Sequence, residues 1–326
     1  MEGSLDSLER VRHTIASYSL KKASLRLELQ RILKLEPEVP NFEVLGSQVI
    51  DDRVSMGLSF NLEGTLLGTA SWSGQAHVWS IPDASLTQTL SGHNNKVQCI
   101  SLLEQTPATG SFDTKVGVWK EGEPTWLEGH TERVNHVEWH PLGNILLSCS
   151  HDQTWKLWDC EHKKCLQTQY GHMNAVYCLN LHKDGGLVAT GDLGGVGCVW
   201  DLRTGKEVLV LKSHLKQIVS ISMGEDGHTL VTGSDDNTAK VWDLRRKGLL
   251  HSIPAHVKMV SGVVARESFI ATCSYDSTTK FWNRSTFEML KEVSYENKVT
   301  GIDSVGNWVA TVSFDRTFKL LENSHV

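Results

Sequence analysis

The chain lacks a membrane-spanning stretch: no apolar run approaches the roughly 18 residues such a segment needs. Its opening residues, MEGSLDSLERVRH, contain no apolar leader region. An intracellular, soluble protein with no membrane association is expected. Positive charge is not in excess either. The 326 residues carry a formal net charge of −6, so overall charge does not predict nucleic-acid binding, and any basic surface must be local. The seven cysteines are scattered and none forms a Cys-x-x-Cys pair. Buried, reduced thiols are the expectation. Cys160 and Cys165 flank His162, but that stretch reads as a polar hairpin rather than a metal site. Asn283-Arg284-Ser285 fits a glycosylation sequon, which means nothing in a reducing compartment. No metal or cofactor is expected.

What the chain does have is a repeat. Val231–Arg246 reads VTGSDDNTAKVWDLRR: an apolar step, Gly-Ser, an Asp turn, an alternating strand, then Trp-Asp. Trp79, Trp119, Trp158, Trp200, Trp242 and Trp282 lie 40, 39, 42, 42 and 40 residues apart, and Leu321 follows 39 further on. A period near 40 that ends in Trp-Asp is the signature of a WD40 propeller. A second series, Gly92-His93, Gly129-His130, Gly171-His172, Ser213-His214 and Ala255-His256, runs in phase with it. The expected fold is all-β: a seven-bladed WD40 β-propeller over residues 41–326, preceded by a short α-helical segment, 1–40.

Each blade should carry a buried polar set, because an unpaired buried polar group costs about 1–3 kcal/mol. The expected order is His to a second-strand Ser, Ser to the Asp of the next turn, and Trp completing the set. Complete sets read as His93, Ser111, Asp113, Trp119; His130, Ser150, Asp152, Trp158; His214, Ser234, Asp236, Trp242; and His256, Ser274, Asp276, Trp282. Blades one, four and seven depart, with Ser73 and Gly194 for Asp and Leu321 for Trp. Those blades are expected to be softer.

Residues 1–36 lie outside the repeat. Asp6-x-x-Glu9 suggests a capped helix start, and Leu5, Leu8, Val11 and Ile15 recur at helical spacing. Tyr18-Ser19 reads as a break with Ser19 as a cap. A second helix over Leu20–Leu35 would place Leu25, Leu29 and Ile32 on one face. This segment has a net charge of +2 and the remainder −8. Having no core of its own, it must dock, either on the propeller's flank or on a partner. Pro37 and Pro40 end the helical region. Phe42–Ile50 should supply the seventh blade's outer strand and close the ring.

Nothing reads as catalytic. Ser, His and Asp converge in every complete blade, whereas a triad needs one unique, exposed nucleophile. Gly191–Gly197, GDLGGVG, opens no helix and falls on a turn, which argues against a phosphate loop. The chain is expected to be a non-enzyme with no small-molecule substrate.

Beyond the generic repeat, ASWSGQAHVWSIPD, VWDLRTGKEVLVLKSHLKQI, GSDDNTAKVWDLRRKGLLHSIPAH and SFDRTFKL resemble segments of the pre-mRNA-processing factor 4 family. So do ASYSLKKASLRL and SQVIDDR. The resemblance implies a nuclear scaffold of the U4/U6 snRNP and the U4/U6.U5 tri-snRNP in pre-mRNA splicing. Implied partners are pre-mRNA-processing factor 3, other U4/U6 snRNP proteins and U4/U6 snRNA, with the chain a monomer within the larger complex. Lys21 stands where the family has Pro. The family's longer N-terminal region, with its partner-binding motif, does not occur in these residues, so the resemblance leaves contacts made through it, including any to a cyclophilin, open. LVTGSDDNTAKVWDLR also resembles the box by which substrate receptors of cullin-type ubiquitin ligases hold their adaptor, with Arg245 at its key place and Arg203 one blade earlier. The alternatives are that role and a generic WD40 interaction platform.

A binding face can be read from the register. The residue before each blade's Asp position is Trp72, Phe112, His151, Leu193, Asp235, Tyr275 or Phe314. The residue before each first strand is Arg53, Lys96, Arg133, Ala175, Gln217, Met259 or Lys298. Both series should lie at one mouth of the channel. The aromatics Trp72, Phe112, Tyr275 and Phe314 and the cations Arg53, Lys96, Arg133 and Lys298 then share contiguous blades. Such a platform would stack unpaired bases or hold an acidic peptide.

Overall fold

A computed structural model describes residues 2–32 and 42–323. It contains seven four-stranded antiparallel sheets, each built from consecutive strands except the last. The seventh takes its outer strand from the other end of the chain. Phe42–Val49 pairs antiparallel with Thr317–Asn323, from Phe42 opposite Asn323 to Val49 opposite Thr317. Pairing satisfies the backbone groups of an edge that would otherwise be open. One side chain anchors the closing strand. Phe42 is buried, with the ring of Phe281 at 4.3 Å and that of Phe269 at 5.0 Å.

Aliphatic cores fill the gaps between neighbouring blades. Val97, Ile100 and Leu102 of the second blade pack on Ala70, Ala76 and Val78 of the first. Every first strand shifts register near its start, as between Val97 and Cys99 or Val134 and His136. A bulge of this kind adds local twist to the innermost strand.

The strands alternate in direction, which gives the ring two distinct ends. Loops before the first strand and turns between the second and third share one end. Turns after the first and third strands share the other. At the mouth of that second end the chain builds an inner belt. Ser59, Ser101, Glu138, Asn180 and Ser222 each accept the backbone N–H of the next blade, from Leu102, Trp139, Leu181, Met223 and Ala265. Asp303 accepts from Phe60, across the joint where the ring closes. The seventh equivalent position is Val264, which has no acceptor. There Arg266 bonds Ser304 of the next blade instead.

The N-terminal segment differs from expectation. One continuous helix spans Glu2–Ile32, beginning before Asp6 and without a break at Tyr18-Ser19. Lys21 has the backbone N–H that a proline would lack, so the helical ladder can continue. Ser19 is no cap. Its hydroxyl bonds back to the Ala16 carbonyl within the helix, at 3.2 Å. Leu8, Val11 and the fully buried Ile15 pack on the core between the third and fourth blades. Arg12 bonds Gln167 at 3.0 Å and Arg26 pairs with Asp184 at 2.9 Å. Close approach needs small residues beneath: a side chain at Gly186 would meet Ser19, and one at Gly227 would run into Arg26. The helix therefore docks on the propeller's flank. Leu25 is exposed. The side chains of Leu5, Leu29 and Ile32, and all of Pro37 and Pro40, lie outside the described residues.

Candidate interaction face

The polar sets form, but not in the order expected. In the second blade His93 Nδ1 meets Asp113 at 2.8 Å directly, while its Nε2 meets Thr109 at 2.8 Å. Trp119 donates its indole N–H to the same Thr109 hydroxyl, at 2.8 Å. Ser148, Thr232 and Thr272 take that place in the third, fifth and sixth blades. The serines assigned to the link, Ser111, Ser150, Ser234 and Ser274, sit two residues nearer the loop. Each accepts the N–H of its blade's Asp and donates to a carbonyl of the preceding loop, as Ser234 does to Lys216 at 3.2 Å. The physical reason is depth. On one face of a strand, residues two apart lie about 7 Å apart, and the indole and imidazole rings reach only the inner hydroxyl.

The direction of the bonds follows from charge. Burial opposes ionisation of Asp113, yet the His93 hydrogen bond and charge hold its carboxyl down at about 2. The carboxylate of Asp152 is lowered in the same way, and against burial those of Asp236 and Asp276 are lowered by the hydroxyls of Thr238 and Thr278 and then by His214 and His256. Burial keeps His130, His214 and His256 below the usual imidazole range, against the pull of those carboxylates. A neutral imidazole beside a carboxylate carries its proton on Nδ1. Its Nε2 must then accept, so the single hydroxyl proton goes to His while the oxygen accepts from Trp. The short hydroxyl of Ser or Thr does both.

In two of the departing blades other residues take over missing places. In the fourth, Asp192 does the work of both missing groups. It pairs with His172 at 3.0 Å and accepts the N–H groups of Gly194 and Val196, while Thr190 links His172 to Trp200. The GDLGGVG turn thus spends its N–H groups on its own carboxylate. In the seventh, the buried Tyr295 occupies the His place and bonds Thr311 at 2.9 Å. The first blade is reversed, with Asp51 in the loop accepting from Ser73 in the turn. Its Thr69 still accepts from Trp79. The missed signal was a Thr or Ser ten residues before the closing Trp or Leu, present in all seven repeats.

These sets hold the loops and turns of one end, where the second series of residues lies. Phe112 N–H bonds Lys96 carbonyl, His151 bonds Arg133, Tyr275 bonds Met259 and Phe314 bonds Lys298. In the first blade Trp72 bonds Val54, so Val54 takes the place that Lys96 holds in the second blade and Arg53 is one residue out of register. Two clusters result. Lys96 lies over Trp72 at 4.1 Å and over Phe112 at 5.9 Å, and Arg133 lies over Phe112 at 4.9 Å. Lys298 lies over Tyr275 at 5.3 Å and Phe314 at 5.6 Å, with those two rings edge to face. Trp72 is fixed from its edge by Gln98. Between them the channel opens into a cavity of about 120 Å³ lined by Gln98, Tyr177 and Tyr275.

Elsewhere, His162 is exposed and bonded to Asp159, Cys160 is buried with its thiol pushed up to about 12, and no group of side chains among the described residues could hold a metal ion. Arg203 and Arg245 lie at the opposite end, each turned back on its own blade's carboxylate, Asp201 and Asp243.

The family described as the IFT122 first beta-propeller matches residues 55–322. The chain belongs to that family. Individual relatives match over shorter stretches. An uncharacterised WD repeat-containing protein of Schizosaccharomyces pombe is 37% identical over 43% of this chain and 36% of its own length. The U4/U6 small nuclear ribonucleoprotein PRP4 of Saccharomyces cerevisiae is 28% identical over 50% of this chain and 36% of its own. The human U4/U6 small nuclear ribonucleoprotein Prp4 is 40% identical over 34% of this chain and 23% of its own. Several Prp4 proteins thus match the WD40 region in part, and the matches span about a third or less of those proteins. No described helix is long and apolar enough to cross a membrane.

Proposed function

We propose that this propeller is a nuclear scaffold of the U4/U6 snRNP and the U4/U6.U5 tri-snRNP. It would act as a monomer that holds pre-mRNA-processing factor 3, other U4/U6 proteins and, directly or through them, U4/U6 snRNA. Residues 1–40 would form the docking segment of the propeller, 41–326. The observation that carries this reading is the yeast PRP4 match over half of the chain, joined by the human one. The end bearing Trp72, Phe112, Tyr275, Phe314, Lys96, Arg133 and Lys298 is the proposed binding face. The competing reading, a substrate receptor of a cullin-type ubiquitin ligase, rests on the resemblance of LVTGSDDNTAKVWDLR to an adaptor-binding box, with Arg245 and Arg203 at its key places. Co-purification of the tagged chain with RNA sequencing separates the two. Enrichment of U4 and U6 RNA supports the scaffold. Recovery of cullin subunits without those RNAs overturns it.

A further inference from the structure

The proposed binding face has a second half. In the loops before the first strands, the residue after the His position is Met173, Leu215 and Val257 in the fourth, fifth and sixth blades. These side chains are 88%, 90% and 82% exposed. Two of the three are also held in place. Leu215 and Val257 donate their N–H groups to Asp236 and Asp276, the carboxylates of the buried sets. The same positions of the second and third blades are the polar Asn94 and Thr131. Three such exposed side chains on neighbouring blades, two of them on pinned loops, give this end an aliphatic arc.

The cations occupy the remaining arc. Lys298, Lys96 and Arg133 belong to the seventh, second and third blades, and none makes an ion pair among the described residues. Neighbouring carboxylates Glu132 and Glu296 are exposed in the same loops. The aromatic faces beneath the cations are already covered, most closely Trp72 by Lys96 at 4.1 Å. A stacking base would have to displace that ammonium. The rings therefore position cations, and the cations are what the face presents.

We infer that this end receives a protein segment carrying an acidic stretch beside aliphatic side chains. The carboxylates meet Lys96, Arg133 and Lys298, and the aliphatic groups cover Met173, Leu215 and Val257. Charge complementarity selects an anionic ligand, and the aliphatic arc selects protein over RNA, whose phosphates gain nothing from it. The inference rests on the reading of this end as the binding face, and not on the splicing assignment.

The test is fluorescence anisotropy with the full chain and a labelled peptide in which a Glu-rich half precedes Leu residues at helical spacing. Controls are that peptide with Leu→Ser, that peptide with Glu→Gln, and single-stranded poly-U RNA. The intact peptide should bind, and each peptide control should bind at least about tenfold more weakly. Met173→Ser/Leu215→Ser/Val257→Ser should weaken the intact peptide by about tenfold with its salt dependence kept. Lys96→Ala/Arg133→Ala/Lys298→Ala should weaken it similarly and flatten that dependence. Single Leu215→Ser and Lys298→Gln variants should show the same directions if a triple variant fails to fold. No effect of the aliphatic variant, no binding of the intact peptide, or tighter cation-dependent binding of RNA overturns the inference. An aliphatic variant without effect, beside a cation variant that weakens binding, overturns the inference while leaving the reading of this end as the binding face in place. If neither variant changes any binding, the face itself is wrong.

Discussion

Replacing Thr232 by Val keeps the shape of the side chain and removes only its hydroxyl. That hydroxyl is fully buried, meets His214 Nε2 at 2.7 Å and accepts the Trp242 indole N–H at 3.0 Å. No cavity opens, so the cost isolates two buried groups left without partners. At about 1–3 kcal/mol each, Thr232→Val should destabilise by about 2–6 kcal/mol. Ser234→Ala removes the hydroxyl that the repeat pattern alone singled out. Its partners, the Asp236 N–H and the Lys216 carbonyl, lie nearer the loops, where water can replace it. About 1–2 kcal/mol is expected there. Urea unfolding of the two variants, followed by circular dichroism, compares them directly. Thr232→Ser should recover most of the loss. A double-mutant cycle with His214→Ala should show coupling for Thr232 and little for Ser234. If Ser234→Ala costs as much as Thr232→Val, the relay from Trp through Thr to His is wrong.

Three further outcomes follow from the geometry. Deleting residues 1–50 removes the closing strand and should lower the melting temperature and cause aggregation; unchanged melting would mean that the ring closes another way. Ile15→Ala should cost about 2–5 kcal/mol of stability and speed proteolysis between the helix and the propeller, and an unaltered digestion pattern would count against docking on the third and fourth blades. Burial raises the Glu138 carboxyl from 4.5 to about 8. A raised folded-state value means stability that is complete below the ordinary value and lost as pH rises through the folded one, so Glu138→Gln should flatten the decline in stability between about pH 5 and 8. An equal decline in both proteins would remove Glu138 as its cause.

The period near 40, the phased Gly-His dipeptides and the closing role of the strand from Phe42 were legible in the sequence, because turns, strand alternation and buried tryptophans repeat at fixed intervals along the chain. The two face series were legible for the same reason, except in the first blade, where one residue of slippage moved Arg53 out. Contacts between repeats were not. Nothing in the local pattern says that Asp192 replaces a serine and an aspartate together, or that Tyr295 stands in for histidine, since each substitution works only through the atoms it meets in three dimensions. Helix continuity through Tyr18-Ser19 was likewise decided by docking: Ile15, Arg12 and Arg26 reach the third, fourth and fifth blades, and that packing outweighs a local preference to break. The sequence by itself determined how many blades there are and where each begins. The tertiary structure decided which hydroxyl carries each relay and which neighbour each inner acceptor bridges, because hydrogen bonds depend on distances of a few tenths of an ångström that spacing along the chain does not fix.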